Sequence, residues 1–178
     1  GSPFEHAVFT WYVSAPIMVF REFQRHRIAS YNEESGRYKT LAPVFYVPAP
    51  ERNLVQVGKP GHYTFVPGTP EQYAATVDAI KASCTQAYGA YTSMLGMDVA
   101  REIARTVLPV TLYSSMYVTM NARALMNFLS LRTNESDSLF PSFPQAEIEM
   151  VARRMESTFA ETMPLTYQAF NDAKRVSP

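Results

Sequence analysis

Residues 111–132 read Thr111-Leu112-Tyr113-Ser114-Ser115-Met116-Tyr117-Val118-Thr119-Met120-Asn121-Ala122-Arg123-Ala124-Leu125-Met126-Asn127-Phe128-Leu129-Ser130-Leu131-Arg132. The first ten carry aromatic and β-branched residues and predict a strand. Asn121 suits a helix N-cap, because its side-chain oxygen can accept from a backbone N–H of the first turn. The stretch that follows predicts a helix over 122–131, with Arg132 just behind it. A strand running into a capped helix requires a fold that mixes both element types.

Upstream, Thr69-Pro70-Glu71-Gln72 is a second helix start, with Thr as N-cap, Pro at N1 and Gln completing a capping box. That helix is expected to reach about residue 95. A shorter one is expected from Asp98 to about Val107, before Pro109. Residues 6–14 are aromatic and β-branched and predict a strand. Pro16 opens a helix over 16–26 with Ile17, Phe20 and Phe23 as its apolar positions, Glu22 and Arg25 on another face, and Arg25-His26-Arg27 at its C-terminal end, where cations are mildly favoured. Residues 29–40 are polar and read as a loop. The prolines make 43–50 extended, and 51–68 read as a long surface excursion. Beyond Arg132, residues 133–144 are a polar, Pro-containing loop, and helices are expected at about 145–160 and 165–174. The expected class is α+β: an antiparallel or mixed sheet flanked by long helices, in one domain over 1–178. Residues 3–9 already read as mid-domain, so a preceding N-terminal segment is expected.

Composition narrows the function. The 178 residues are 47% apolar and 18% charged, enough for a real core. Net charge is zero, which gives no bulk attraction to nucleic acid or an anionic membrane, so any anion site has to be local. No apolar run is long enough for a membrane span. Arginine outnumbers lysine twelve to four, which suits fixed bidentate binding of phosphate or carboxylate. The single cysteine, Cys84, permits no internal disulfide and fits a reducing, cytoplasmic compartment. It reads as a small helix-packing residue. The histidines form no cluster with metal-ligand spacing, so no metal site is expected.

Four of the twelve arginines, Arg21, Arg25, Arg27 and Arg37, fall within seventeen residues. A basic helix end can be merely solvated, but the longer string carries more information. Arg25-His26-Arg27, seven residues, Ser35, then Gly36-Arg37-Tyr38 resembles the signature of flavin-dependent thymidylate synthases. The resemblance extends to Ser2–His6, to Ala104–Pro109, to Asn121–Leu129 and to Leu131-Arg132, and so covers most of the chain.

That resemblance implies conversion of dUMP to dTMP. Methylenetetrahydrofolate is the carbon donor, NADPH reduces a bound FAD that passes on the hydride, and sites are shared among the subunits of a homotetramer. It implies FAD contacts from Ser2, Arg25, His26, Arg27, Glu33, Asn121, Arg123 and Asn127. It implies dUMP contacts from Glu22, Arg25, Glu33, Ser35, Gly36, Arg37, Arg105 and Arg132, with Arg132 as the catalytic arginine that polarises the uracil. Arginine's planar fork matches phosphate oxygens, and Gly36 lets backbone approach an anion closely. Ser35 has no evident histidine–carboxylate pair to activate it as a nucleophile, and the resemblance gives it a binding role. Asn127, in an apolar helix, is expected to be a buried amide in need of partners. The chain departs from the family pattern in residues 133–144, a longer insert that lacks the usual histidine. Two alternatives follow. One is a flavin- or nucleotide-binding module without synthase activity. The other is a nucleic-acid binder, against which the neutral charge argues.

Overall fold

The strand-to-helix passage forms as expected. In the computed structural model, which describes residues 1–59 and 62–178, Tyr113–Asn121 is a strand and Ala122–Arg132 a helix. Asn121 Oδ1 accepts from the Ala124 N–H at 2.9 Å, which satisfies a first-turn donor. In chain order the strands are β1 (Val8–Pro16), β2 (Ser30–Glu33), β3 (Val55–Lys59), β4 (His62–Val66) and β5 (Tyr113–Asn121). The helices are α1 (Ile17–Phe23), α2 (Pro70–Gly96), α3 (Arg101–Ala104), α4 (Ala122–Arg132), α5 (Ala146–Thr162) and α6 (Pro164–Asp172).

The chain forms two compact units. The first comprises Gly1–Glu34 and Ser114–Pro178. Its sheet has the order β1-β5-β2. β2 pairs antiparallel with β5, Ser30 opposite Thr119 and Glu33 opposite Met116. On β5, Ser114, Met116, Val118 and Met120 are buried, the alternation a one-sided strand requires. α4 buries Leu125, Met126, Phe128 and Leu129 against that face, and Phe128 stacks on Phe23 of α1 at 4.9 Å between ring centroids. Ile148, Ala152, Met155 and Phe159 of α5 complete the core.

The second unit is Ser35–Tyr113. α2 starts with the expected reciprocal capping box. Thr69 Oγ1 accepts from Gln72 N at 3.2 Å, and Gln72 Oε1 accepts from Thr69 N at 2.8 Å. Tyr88 and Tyr91 of α2 hold Leu41 by its two backbone groups: Tyr91 Oη accepts from Leu41 N, and Tyr88 Oη donates to Leu41 O. Cys84 is buried beside Thr111.

Several local expectations are corrected. α1 ends at Phe23, so Arg25-His26-Arg27 lie in the turn beyond it. Part of the expected 29–40 loop is strand β2, a polar edge that pairs with β5, distant in sequence. The expected excursion over 51–68 contains an antiparallel hairpin, Val55 opposite Val66. Pro60 and Gly61, between these strands in sequence, lie outside the described residues. The Asp98–Val107 helix is only the short α3 followed by a 3-10 turn over Arg105–Val107, and Asp98 has φ 59°. The extended stretch 43–50 forms a single bridge, Phe45 with Leu112.

Candidate active site

The first unit contains a cavity of about 1230 Å³. Its wall includes Arg25, His26, Arg27, Asn121, Arg123, Asn127 and Arg132. α4 positions four of these. Asn121 caps it, Arg123 and Asn127 share its polar face at i, i+4, and Arg132 ends it. Asn127 is exposed to the cavity, contrary to the expected buried amide, because the helical period puts it beside Arg123 and opposite the core residues.

The turn after α1 supplies the other three. Tyr31 of β2 pins that turn: its hydroxyl shares its one proton between the carbonyls of Phe23 at 2.7 Å and His26 at 2.8 Å. Burial pushes the Tyr31 phenol up to about 12, so it remains a donor at any working pH. Arg25 and Arg27 are exposed and have no ion-pair partner among the described residues.

Arg132 is fixed from three sides. Its Nε–H donates to His26 Nε2 at 3.0 Å, Nη1 to Glu22 Oε2 at 2.5 Å, and Nη2 to the Glu22 carbonyl at 3.3 Å. The guanidinium has five N–H donors, so two remain for a ligand. His26 Nε2 is an acceptor here, which puts the proton of the neutral ring on Nδ1. The His26 pKa is lowered to about 4, first by burial, then by Arg132, against an opposing pull from Glu22, with Arg25 adding to the lowering. The ring also packs edge-on against Phe128.

Arg123 is partly committed. Its Nη1 meets Glu5 Oε1 at 2.6 Å and its Nε donates to the Pro178 carbonyl at 2.7 Å. Ser2 is exposed in the 3-10 turn Ser2–Glu5. Glu33 ends β2, and its neighbour Glu34 accepts from Ser115 Oγ.

The remaining expected residues lie in the second unit, because the division falls between Glu34 and Ser35. Ser35 Oγ accepts from Arg37 N at 3.3 Å, and the Ser35 carbonyl accepts from Tyr38 and Lys39 N–H. These contacts make a tight turn and do not activate a nucleophile. Gly36 is buried. A Cβ there would lie 2.9 Å from Leu41 Cδ1 and 3.3 Å from Arg105 Cδ, so the loop packs directly on the Arg105 stem. Arg37 pairs with Glu102, Nε and Nη2 both 3.1 Å from Oε2, with both side chains about half exposed at 53% and 51%.

Several wall residues escaped sequence reading, Glu5 and Phe143 among them. Glu5, the partner of Arg123, sits 118 positions away from it, and Phe143 lies in an irregular segment without periodicity. Among the described residues no group of three His, Cys, Asp or Glu could hold a metal ion. Among the described residues no helix is long and apolar enough to cross a membrane. The donor set, several arginines with two carboxamides, fits a group that carries phosphates and a carbonyl-edged ring, as FAD does.

Comparison with known proteins gives the same direction. Residues 1–165 match the family model described as thymidylate synthase complementing protein. A flavin-dependent thymidylate synthase of Streptomyces coelicolor is 60% identical over 179 residues, spanning 100% of this chain and 73% of the relative. One from Tropheryma whipplei is 56% identical over 178 residues, spanning 100% and 74%. The crystal structure of a UMP/dUMP methylase, PolB, from Streptomyces cacaoi bound with 5-Br UMP superposes with a TM-score of 0.97 at 49% identity, over 100% of this chain and 78% of that one. By the extent of the family match and by these identities, the chain belongs to the thymidylate synthase complementing protein family, that of the flavin-dependent thymidylate synthases.

Proposed function

We propose that this chain methylates dUMP reductively to dTMP, with methylenetetrahydrofolate as the carbon donor. FAD, reduced by NADPH, supplies the hydride when bound. The observation that carries the reading is Arg132, held by Glu22 and His26 at the wall of a cavity that Arg25 and Arg27 also line, two cations with no ion-pair partner among the described residues.

Arg25, Arg27 and Arg123 hold the FAD phosphates, with His26, Asn121 and Asn127 as hydrogen-bonding partners and Ser2 and Glu33 as further contacts. Ser35, Gly36, Arg37 and Arg105 hold the dUMP phosphate: the turn at Ser35 presents backbone near Gly36, and Arg37 offers a planar fork. Arg25, Glu22 and Glu33 contact the nucleotide as well. Arg132 directs its two remaining N–H donors at the uracil and stabilises the N3-deprotonated ring. A fixed cation that needs no reorganisation is effective electrostatic catalysis. Glu22 and His26 keep the guanidinium in place, and the neutral His26 adds no competing charge. No enzyme nucleophile is required. The assembly is a homotetramer with sites shared between subunits, working in the cytoplasm.

The test is dTMP formation coupled to NADPH oxidation in the presence of dUMP and methylenetetrahydrofolate. Binding of FAD and dUMP by calorimetry with no product would establish the inactive module instead. UMP is the competing substrate to include, because the similar Streptomyces cacaoi methylase was crystallised with both 5-Br UMP and 5-Br dUMP. Turnover of UMP alone would overturn the assignment of dUMP.

A further inference from the structure

We propose that Phe143 is the apolar wall against which a planar heteroaromatic ring lies in the cavity of the first unit. The inference rests on the reading of that cavity as a flavin and nucleotide site.

Segment 133–144 has no helix or strand, yet it is tied down along its length. Thr133 Oγ1 donates to the Leu129 carbonyl at 2.7 Å and accepts from Arg175 Nη2 at 2.8 Å. Arg175 is itself buried and pairs with the buried Glu156 at 2.6 Å. The Asn134 N–H donates to Glu149 Oε1 at 3.0 Å, while its carbonyl accepts from Arg153 Nη2 at 2.7 Å. Arg153 also pairs with Glu135. The Leu139 N–H donates to the Lys174 carbonyl at 3.0 Å, and Ser142 Oγ returns to the Thr133 carbonyl at 2.6 Å. That last bond folds the end of the segment back on its start. Anchors on α4, α5 and the residues after α6 therefore fix where the segment ends.

It ends at the cavity. Pro141, Ser142 and Phe143 line the wall that Arg25, Arg27 and Arg132 also line. Phe143 is 51% exposed. The wall also carries the exposed Ile28 and Leu131 beside its cations, but Phe143 is its apolar aromatic group. A benzyl side chain half open to the cavity is poorly placed for water and, unlike those aliphatic chains, offers a flat face to the face or edge of a planar ring. Cations and amides can hold the phosphates and carbonyl edges of such a ligand but cannot cover its face. Phe140 in the same segment is 69% exposed and is not part of the cavity wall, which makes it the internal control.

The experiment compares full-length wild type with Phe143→Ala, Phe143→Tyr and Phe140→Ala. Apoprotein is titrated with FAD by quenching of flavin fluorescence, and the FAD-loaded protein with methylenetetrahydrofolate by calorimetry, with Tm recorded for each. The expected result is a loss of about five- to tenfold in one affinity for Phe143→Ala, the size of an aromatic stacking contact. Phe143→Tyr stays near wild type, Phe140→Ala is unchanged, and all Tm values agree. A weakened FAD constant identifies the ring as the flavin; an unchanged FAD constant with weakened folate identifies it as the pterin. Both constants unchanged in Phe143→Ala would overturn the inference, as would an equal loss in Phe140→Ala. Wild-type protein that takes up no FAD would instead contradict the functional reading beneath it.

Discussion

Arg132 in the first unit and Arg37 in the second are both arginines paired with a glutamate, and the resemblance gives both a place beside the same nucleotide. Their settings differ. The Arg132 side chain is 15% exposed and makes three bonds, one of them to a histidine acceptor. The Arg37 pair is half exposed on both sides and meets a single carboxylate oxygen. A half-exposed pair contributes about 0–1 kcal/mol and exchanges readily for another anion. An enclosed, multiply bonded pair is costly to disrupt, since removing one partner leaves the other poorly solvated. The difference suits one arginine to pre-organised catalysis and the other to capture and release of a phosphate.

The largest effect in this comparison is expected for Arg132→Ala. Loss of a fixed transition-state donor lowers turnover by about 10²–10³-fold. FAD uptake should persist, because Arg25, Arg27 and Arg123 remain. Arg132→Lys keeps the charge but loses the fork and should recover little. Wild-type turnover in either variant, measured as dTMP formed, would remove the catalytic role.

A smaller effect is expected for Arg37→Ala: dUMP affinity weaker by about tenfold or more, with Tm unchanged because the pair is exposed. Glu102→Ala separates the two functions of that pair. Freed of Glu102, Arg37 should bind dUMP as well as wild type or up to a few-fold more tightly. A loss in calorimetric affinity comparable to that of Arg37→Ala would show that Glu102 positions the arginine and does not merely occupy it.

The smallest effect concerns His26. The unfolded chain takes up this proton below about 6.5, whereas the folded chain does so only near 4. Within that window the unfolded state binds more protons, so the His26 contribution is fully present above the unfolded value and is lost as pH falls toward 4. After discounting for solvent at this partly open ring, the loss is about 1–2 kcal/mol. His26→Gln, which can still accept from Arg132, should flatten that part of the stability–pH curve. An unchanged slope in urea melts at successive pH values would contradict the neutral, acceptor role.

What was legible in the sequence was mostly local. The Thr69–Gln72 capping box and the Asn121 cap are encoded within four residues, and both formed. β2 was missed because a short polar strand, Ser30–Glu33, carries no alternation of its own and is made by its partner on β5. The β3–β4 hairpin was hidden by glycine and proline around short apolar alternations. Within the site, the residue types were readable, but their bonds were not. Arg132 meets His26 across 106 residues and Glu22 across 110, separations no local pattern reports. The division after Glu34 likewise assigns Arg25–Glu34 to one unit and Ser35–Tyr38 to the other, though the sequence runs through the stretch without a break.

The central claim is a flavin cavity that works together with a nucleotide-phosphate loop. Its most direct measurement is the visible absorption spectrum of the purified full-length protein, with FAD added, before and after dUMP. The account predicts a yellow protein whose flavin band shifts on saturation with dUMP, with Arg37→Ala requiring more dUMP for the same shift. A colourless protein that retains no FAD would contradict it.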